Sequence, residues 1–75
     1  MPRLPRVSGR KLVKALRKAG FRLSHVRGSH HYLRHPEDDR LVTIPVHGNR
    51  DLPVGTLRAI LRQSSLTTEE LIDLL

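Results

Sequence analysis

Five histidines, His25, His30, His31, His35 and His47, are the groups best suited to chemistry in a 75-residue chain that has no cysteine, no tryptophan, one tyrosine and one phenylalanine. An imidazole titrates near neutrality, so it can take up or release a proton under physiological conditions, and it is also a common metal ligand. The spacing disfavours the metal. Strand residues that chelate together sit at i and i+2 on one side of a sheet, and no two of these histidines have that separation. His31 and His35 would pair on a helix, but on a strand rising roughly 3.3 Å per residue they stand about 13 Å apart. Neither a metal nor any other cofactor is expected.

Proton transfer is the better-supported chemistry. If His30 to His35 forms a strand, alternation puts His30, Tyr32 and Arg34 on one side and His31, Leu33 and His35 on the other. Leu33 marks the covered side. His30, Tyr32 and Arg34 then project from the open face, where an imidazole, a phenol and a guanidinium could meet a ribose hydroxyl, a base and a phosphate. A neutral imidazole can accept the proton of a ribose 2′-hydroxyl without a metal. Nearby guanidinium groups favour that neutral form and stabilise the charge that builds on the attacked phosphate. Such chemistry cuts RNA and spares DNA. Taken alone, a surface histidine of a basic protein is more often a passive contact than a catalyst. His31 is expected to be a partly buried, hydrogen-bonded histidine.

The flanking residues predict the elements that would hold these groups. Ser8 is an N-cap for a helix from about Gly9 to Ala19, with Gly20 at the left-handed position that ends it. Leu12, Val13, Ala15, Leu16 and Ala19 share one arc of that helix, and Arg10, Lys11, Lys14, Arg17 and Lys18 the other. Phe21 and Leu23 then alternate with Arg22 and Ser24, Arg27-Gly28-Ser29 supplies a turn, and His30 to His35 returns as the second strand of a hairpin. After the turn His35 to Asp39, Arg40 to Val46 is rich in β-branched residues and reads as a third strand, which Pro45 limits to an edge or an end. Pro53 falls in the first turn of a second helix reaching about Ser64, with Val54, Leu57, Ile60 and Leu61 on one arc. Thr67 and Glu70 form a capping box for a short helix to about Leu74. The order predicts an α+β fold, α-β-β-β-α, with a three-stranded antiparallel sheet, helices on one of its faces and a short C-terminal helix. Residues 1–75 read as a single domain: a flexible basic arm at 1–7, a core at 8–66 and a helical extension at 67–75.

Charge points to the partner. Lys and Arg total 14 against 7 acidic residues, a formal charge of +7. Ten of the basic residues lie in the first 36 positions with no acid among them, whereas the remainder holds 4 basic and 7 acidic residues. A polyanion is the natural ligand for the first half, nucleic acid before anionic membrane. Without cysteine the domain must hold together by packing alone, which suits a reducing cytoplasm. The basic start is followed by no apolar run, so neither a secretion signal nor a membrane span is expected.

In Gly28-Ser29-His30-His31, in Arg40 to His47, and in the run Leu52-Pro53-Val54-Gly55-Thr56-Leu57 with its continuation to Gln63, the chain closely resembles the HicA toxin family of bacterial type II toxin-antitoxin modules. The likeness extends from about Ser8 to Leu66 and takes in Ser8-Gly9-Arg10 and Lys18-Ala19-Gly20-Phe21. The resemblance implies a double-stranded-RNA-binding-like fold, a ribonuclease activity on messenger RNA, and a HicB-type antitoxin that neutralises it by masking the catalytic histidine. The family's catalytic histidine directly follows Gly-Ser, which falls on His30, and Gly28 and Ser29 match the turn that presents it. Relatives often carry an aromatic residue on the first strand, where this chain has Ser24, His25 and Val26, leaving Tyr32 as the candidate for base stacking. They also often carry Ala-Gly where Ser64-Ser65 stands. The extension from Thr67 resembles that of longer members and suits either partner binding or a cap over the core.

The expectation is therefore a histidine-dependent, metal-independent endoribonuclease acting as a toxin. His30 is its catalytic residue, Lys14, Arg27, Gly28, Ser29, Tyr32 and Arg34 its RNA-binding residues, and messenger RNA and a HicB-type antitoxin its partners. The toxin alone is expected to be a monomer. His47, at the end of the third strand, is the other imidazole to test for the second proton transfer. A non-catalytic RNA-binding module of the same fold is the alternative, and a protein that only holds an acidic partner is a third reading.

Overall fold

The structure is a computed structural model that describes residues 3–75. Its elements, in chain order, are α1 (Gly9–Lys18), β1 (Arg22–Arg27), β2 (His30–Arg34), β3 (Leu41–Pro45), α2 (Val54–Ser64) and α3 (Thr68–Leu74). The strands form one antiparallel sheet in the order β1-β2-β3, so the α-β-β-β-α architecture expected from the residue pattern is the architecture found.

Local signals set the helix limits. The Ser8 hydroxyl accepts from the Lys11 N–H at 3.2 Å and opens α1. At the other end the Phe21 N–H donates to the Leu16 carbonyl (3.0 Å) and the Gly20 N–H to the Arg17 carbonyl (3.1 Å). This pairing needs a left-handed residue between helix and strand, and Gly20 supplies it with φ +102°. Buried Phe21 then packs under the last turn. In α3, Thr67 and Glu70 exchange both bonds of the capping box, at 3.1 and 2.9 Å. Pro53 stands one place earlier than expected, at the N-cap of α2 rather than inside its first turn.

Leu33, Val42 and Ile44 form the covered face of the sheet, and Leu12, Ala15 and Leu16 of α1 and Leu57, Ile60 and Leu61 of α2 pack over them. Gly9 permits a close approach between the layers: a Cβ there would run into the Pro45 carbonyl and sit 3.2 Å from the Val46 Cα. Fully buried Leu71 joins the same core, so α3 caps it.

Three expectations need correction. The basic arm at 1–7 is not free up to residue 7: Val7 is 1% exposed and accepts the Leu52 N–H at 2.8 Å, and Leu4 packs against the core. Once Val7 is sealed in the core, water no longer competes for that hydrogen bond. Met1 and Pro2 of the expected arm lie outside the described residues. Val54 is 60% exposed although it shares an arc with Leu57, Ile60 and Leu61, because the helix start extends past the edge of the packed layer. Leu23 also fails to enter the core: all six residues of β1 are exposed, Leu23 at 38% and Val26 at 49%, because β1 is an edge strand lying beyond the helices.

No helix among the described residues is long and apolar enough to cross a membrane.

Candidate functional site

The β1-β2 hairpin turns on two residues, Gly28 and Ser29. Gly28 takes φ +60° while Ser29 does not take a positive φ, the pattern of a type II′ turn with glycine in its first central position. The turn delivers His30 as the first residue of β2. Cross-strand partners place Arg27 of β1 and Pro45 of β3 on either side of it, and Leu33 and Val42 pair on the opposite, covered face. His30 is exposed. Alternation therefore holds on β2 as expected, with His30, Tyr32 and Arg34 on the open face.

The register of β1 is interrupted between Leu23 and His25. Leu23 pairs with Leu33, but the next paired residue is His25, opposite Tyr32, and Ser24 is the extra residue of a β-bulge. Regular alternation would have placed Ser24 on the open face and His25 with Leu23 on the helix side. The bulge reverses this for His25. His25 joins the open face, its ring stacked on that of Tyr32 with centroids 4.3 Å apart and planes 5° from parallel. Ser24 Oγ lies 3.2 Å from His25 Nδ1 and fixes the ring from its own strand. His25 was missed by the alternation argument. The only sequence signal for it was its position on the first strand, where the family resemblance implies that an aromatic residue is common.

The other expected residues are distributed unevenly. Arg27 and Arg34 belong to the open face, but Arg34 is already ion-paired with Asp39 at 3.0 Å. Lys14 stands apart from the sheet: the cavities it lines are built from Arg6, Arg10, Lys11, Arg17 and Lys18 with Leu74 and Leu75, on the helical layer. His47 is exposed just past β3, where the ladder continues by one bond from the Val46 N–H to the Ser29 carbonyl (2.7 Å). That bond carries His47 toward the Gly28 end of the hairpin.

Two histidines serve the fold. His31 faces the covered side, half-buried between Val26 and Ile44 in the ladder, but its buried Nδ1 has no hydrogen-bond partner, contrary to the expected pairing. The neighbours that the register gives it are aliphatic and offer no acceptor. His35 packs edge-on against Phe21 at 4.9 Å and accepts the Glu37 N–H at Nδ1 (3.2 Å), which shapes the turn before β3. In that turn the Arg40 side chain beside Asp38, Nε to Oδ2 2.7 Å, holds the Asp38 carboxyl below its ordinary range. Among the described residues, no three His, Asp or Glu side chains come together in a way that could hold a metal ion.

A helix-backed three-stranded sheet whose open face carries Arg22, Arg27 and Arg34 around His25, His30 and Tyr32, with no carboxylate on its strands, defines a small α+β protein that gathers imidazoles and guanidiniums on one exposed face. Residues 9–66 match the family model described as the HicA toxin of bacterial toxin-antitoxin. The chain belongs to that family, and its place is in toxin-antitoxin systems, where a HicB-type antitoxin is the toxin's partner. No curated protein matches the chain closely.

Proposed function

We propose that the chain is a metal-independent endoribonuclease that cleaves messenger RNA as the toxin of its module. The observation that carries this reading is the exposed His30 on the open face, presented by the Gly28-Ser29 turn and paired across the ladder with Arg27. His30 takes the proton of a ribose 2′-hydroxyl, and the freed oxygen attacks the adjoining phosphorus. Arg27 and Arg34 bind the phosphate and offset the charge it gains, the Gly28 and Ser29 turn lets the RNA backbone approach, and Tyr32 contacts a base. Lys14 contacts phosphates of a longer RNA that reaches the helical layer. Cytoplasm is the compartment in which this substrate is met. A HicB-type antitoxin lying over the open face would deny RNA access to His30, and the monomeric toxin is the form it captures.

Incubation with labelled single-stranded RNA in EDTA tests the reading. The wild type is expected to cut, and folded His30→Ala to lose about 100-fold or more of the rate, the range general acid-base groups supply. Parental cutting by His30→Ala would refute the assignment, and RNA left intact by the wild type would leave a non-catalytic RNA-binding module. In that case binding should still weaken steeply with added salt, because counterions are released when phosphates are neutralised.

A further inference from the structure

Transesterification of RNA moves two protons, one from the attacking 2′-oxygen and one to the departing 5′-oxygen, and His30 accounts for only one of them. We propose that His25 is the second proton-transfer group. This rests on the reading of His30 above.

Three observations carry it. The bulge at Ser24 puts His25 on the same open face as His30, opposite Tyr32 and therefore diagonal to His30 across the β1-β2 ladder. Diagonal neighbours in an antiparallel pair are about 7 Å apart. Two nitrogens that flank an in-line phosphorus, each within hydrogen-bond reach of its oxygen, need a separation on the order of 7 Å. The second observation is that the ring is held from two sides, by the parallel Tyr32 ring at 4.3 Å and by Ser24 Oγ at Nδ1. With Nδ1 engaged by the hydroxyl, exchange with substrate falls to Nε2. The third is the surrounding charge. The ionisable groups of the open face are Arg22 and Arg27 on the same strand and His30, Tyr32 and Arg34 on β2, with Asp39 of the following turn paired to Arg34, while β3 presents Leu41, Thr43 and Pro45. These guanidiniums draw the anionic phosphodiester onto the face that carries both imidazoles.

The step balances without a further reactant. The 2′-hydroxyl proton passes to His30 as the O2′–P bond forms, the P–O5′ bond breaks, and the 5′-oxygen takes its proton from His25. The products are a 2′,3′-cyclic phosphate and a 5′-hydroxyl end. His25 and His30 finish in exchanged protonation states and are reset by solvent.

A sulfur leaving group separates this role from a structural one, because a thiolate departs without a proton. The linkage that the wild type cuts in a single-stranded RNA is first mapped, and the same RNA is then made with bridging sulfur in place of the 5′-oxygen at that linkage. His25→Ala and His25→Gln, each checked for folding by circular dichroism, are expected to cut the oxygen RNA about 100-fold more slowly and the sulfur RNA within about tenfold of the wild type. His30→Ala should be slow on both. Ser24→Ala, which frees the ring, should show a smaller loss with the same dependence on leaving group. Equal losses on the two RNAs, or undiminished cutting of the oxygen RNA by the His25 variants, would overturn the role of His25 and leave His30 standing. Full activity of His30→Ala would instead remove the reading on which both rest.

Discussion

Arg40 donates from Nη1 to the Ser64 carbonyl at 2.6 Å, tying the turn before β3 to the last turn of α2. The same guanidinium sits 5.5 Å from the centre of the Phe21 ring, so one side chain joins the start of β1, the turn and the helix end. A hydrogen bond from a charged donor is worth about 1.5–3 kcal/mol. Arg40→Ala should therefore destabilise the domain by about 2 kcal/mol, or roughly 8–16 °C in Tm for a chain of this size, read by thermal unfolding.

Two glycines should respond to alanine in opposite directions. In an unconstrained helix Gly→Ala stabilises by up to about 1 kcal/mol. Gly55 of α2 has nothing within 4 Å of where a Cβ would stand, so Gly55→Ala should follow that trend. Gly9 faces the Pro45 carbonyl, and both belong to backbone that cannot swing aside. Gly9→Ala should cost about 1–3 kcal/mol despite its better helix propensity, and chemical denaturation of the two variants side by side would show the sign reversal.

Ser65 ends α2 in the left-handed conformation, φ +60°, with the Leu66 N–H bonded to the Leu61 carbonyl at 2.9 Å. A residue with a Cβ pays roughly 1–2 kcal/mol for that conformation, partly offset by the greater freedom glycine has when unfolded. Ser65→Gly should raise stability by about 0.5–1 kcal/mol and leave RNA cleavage unchanged, as measured by Tm and by rate.

Acid should weaken the fold through two carboxylates. The Arg40 side chain holds Asp38 below its ordinary 3.8, and the hydrogen bonds of the Thr67 capping box hold Glu70 below its ordinary 4.5. A group whose folded pKa is depressed stabilises above its unfolded pKa, and that contribution is lost as pH falls through the folded value. The double variant Asp38→Asn, Glu70→Gln should thus be less stable than the wild type at neutral pH, and the gap should narrow as pH falls below the ordinary values of 4.5 and 3.8 and through the lowered folded ones. Denaturant midpoints across that range check it; a gap constant with pH would mean the charges are irrelevant.

Arg34 shares its charge with Asp39, an exposed pair on the turn before β3. Asp39 takes φ +63°, a conformation asparagine also tolerates, so Asp39→Asn should keep the turn and release the guanidinium. Binding of single-stranded RNA to a cleavage-deficient His30→Ala background should tighten severalfold at low salt, measured by fluorescence anisotropy. Arg34→Ala in the same background should remove that gain.

Most of the framework is legible from residue order. Ser8, Gly20, the Gly28-Ser29 pair and the Thr67-Glu70 box each act through bonds to neighbours a few positions away, so their consequences are local. The same holds for His30, whose face follows from Leu33 three residues on, and for the family likeness that runs through the whole core. What these signals leave open depends on contacts distant in sequence. Val7 is sealed by Leu52 and Gly9 by Pro45, because packing joins segments whose separation no period encodes. The face of His25 is the sharpest case. Alternation counted from Leu23 puts it under the helices, and a single extra residue at Ser24 reverses it, because a shift of one position in a period of two sends every later side chain to the other side. Residue order alone shows which imidazole the hairpin turn presents, whereas the second imidazole beside it is set by the pairing of β1 with β2, a contact that local order does not encode.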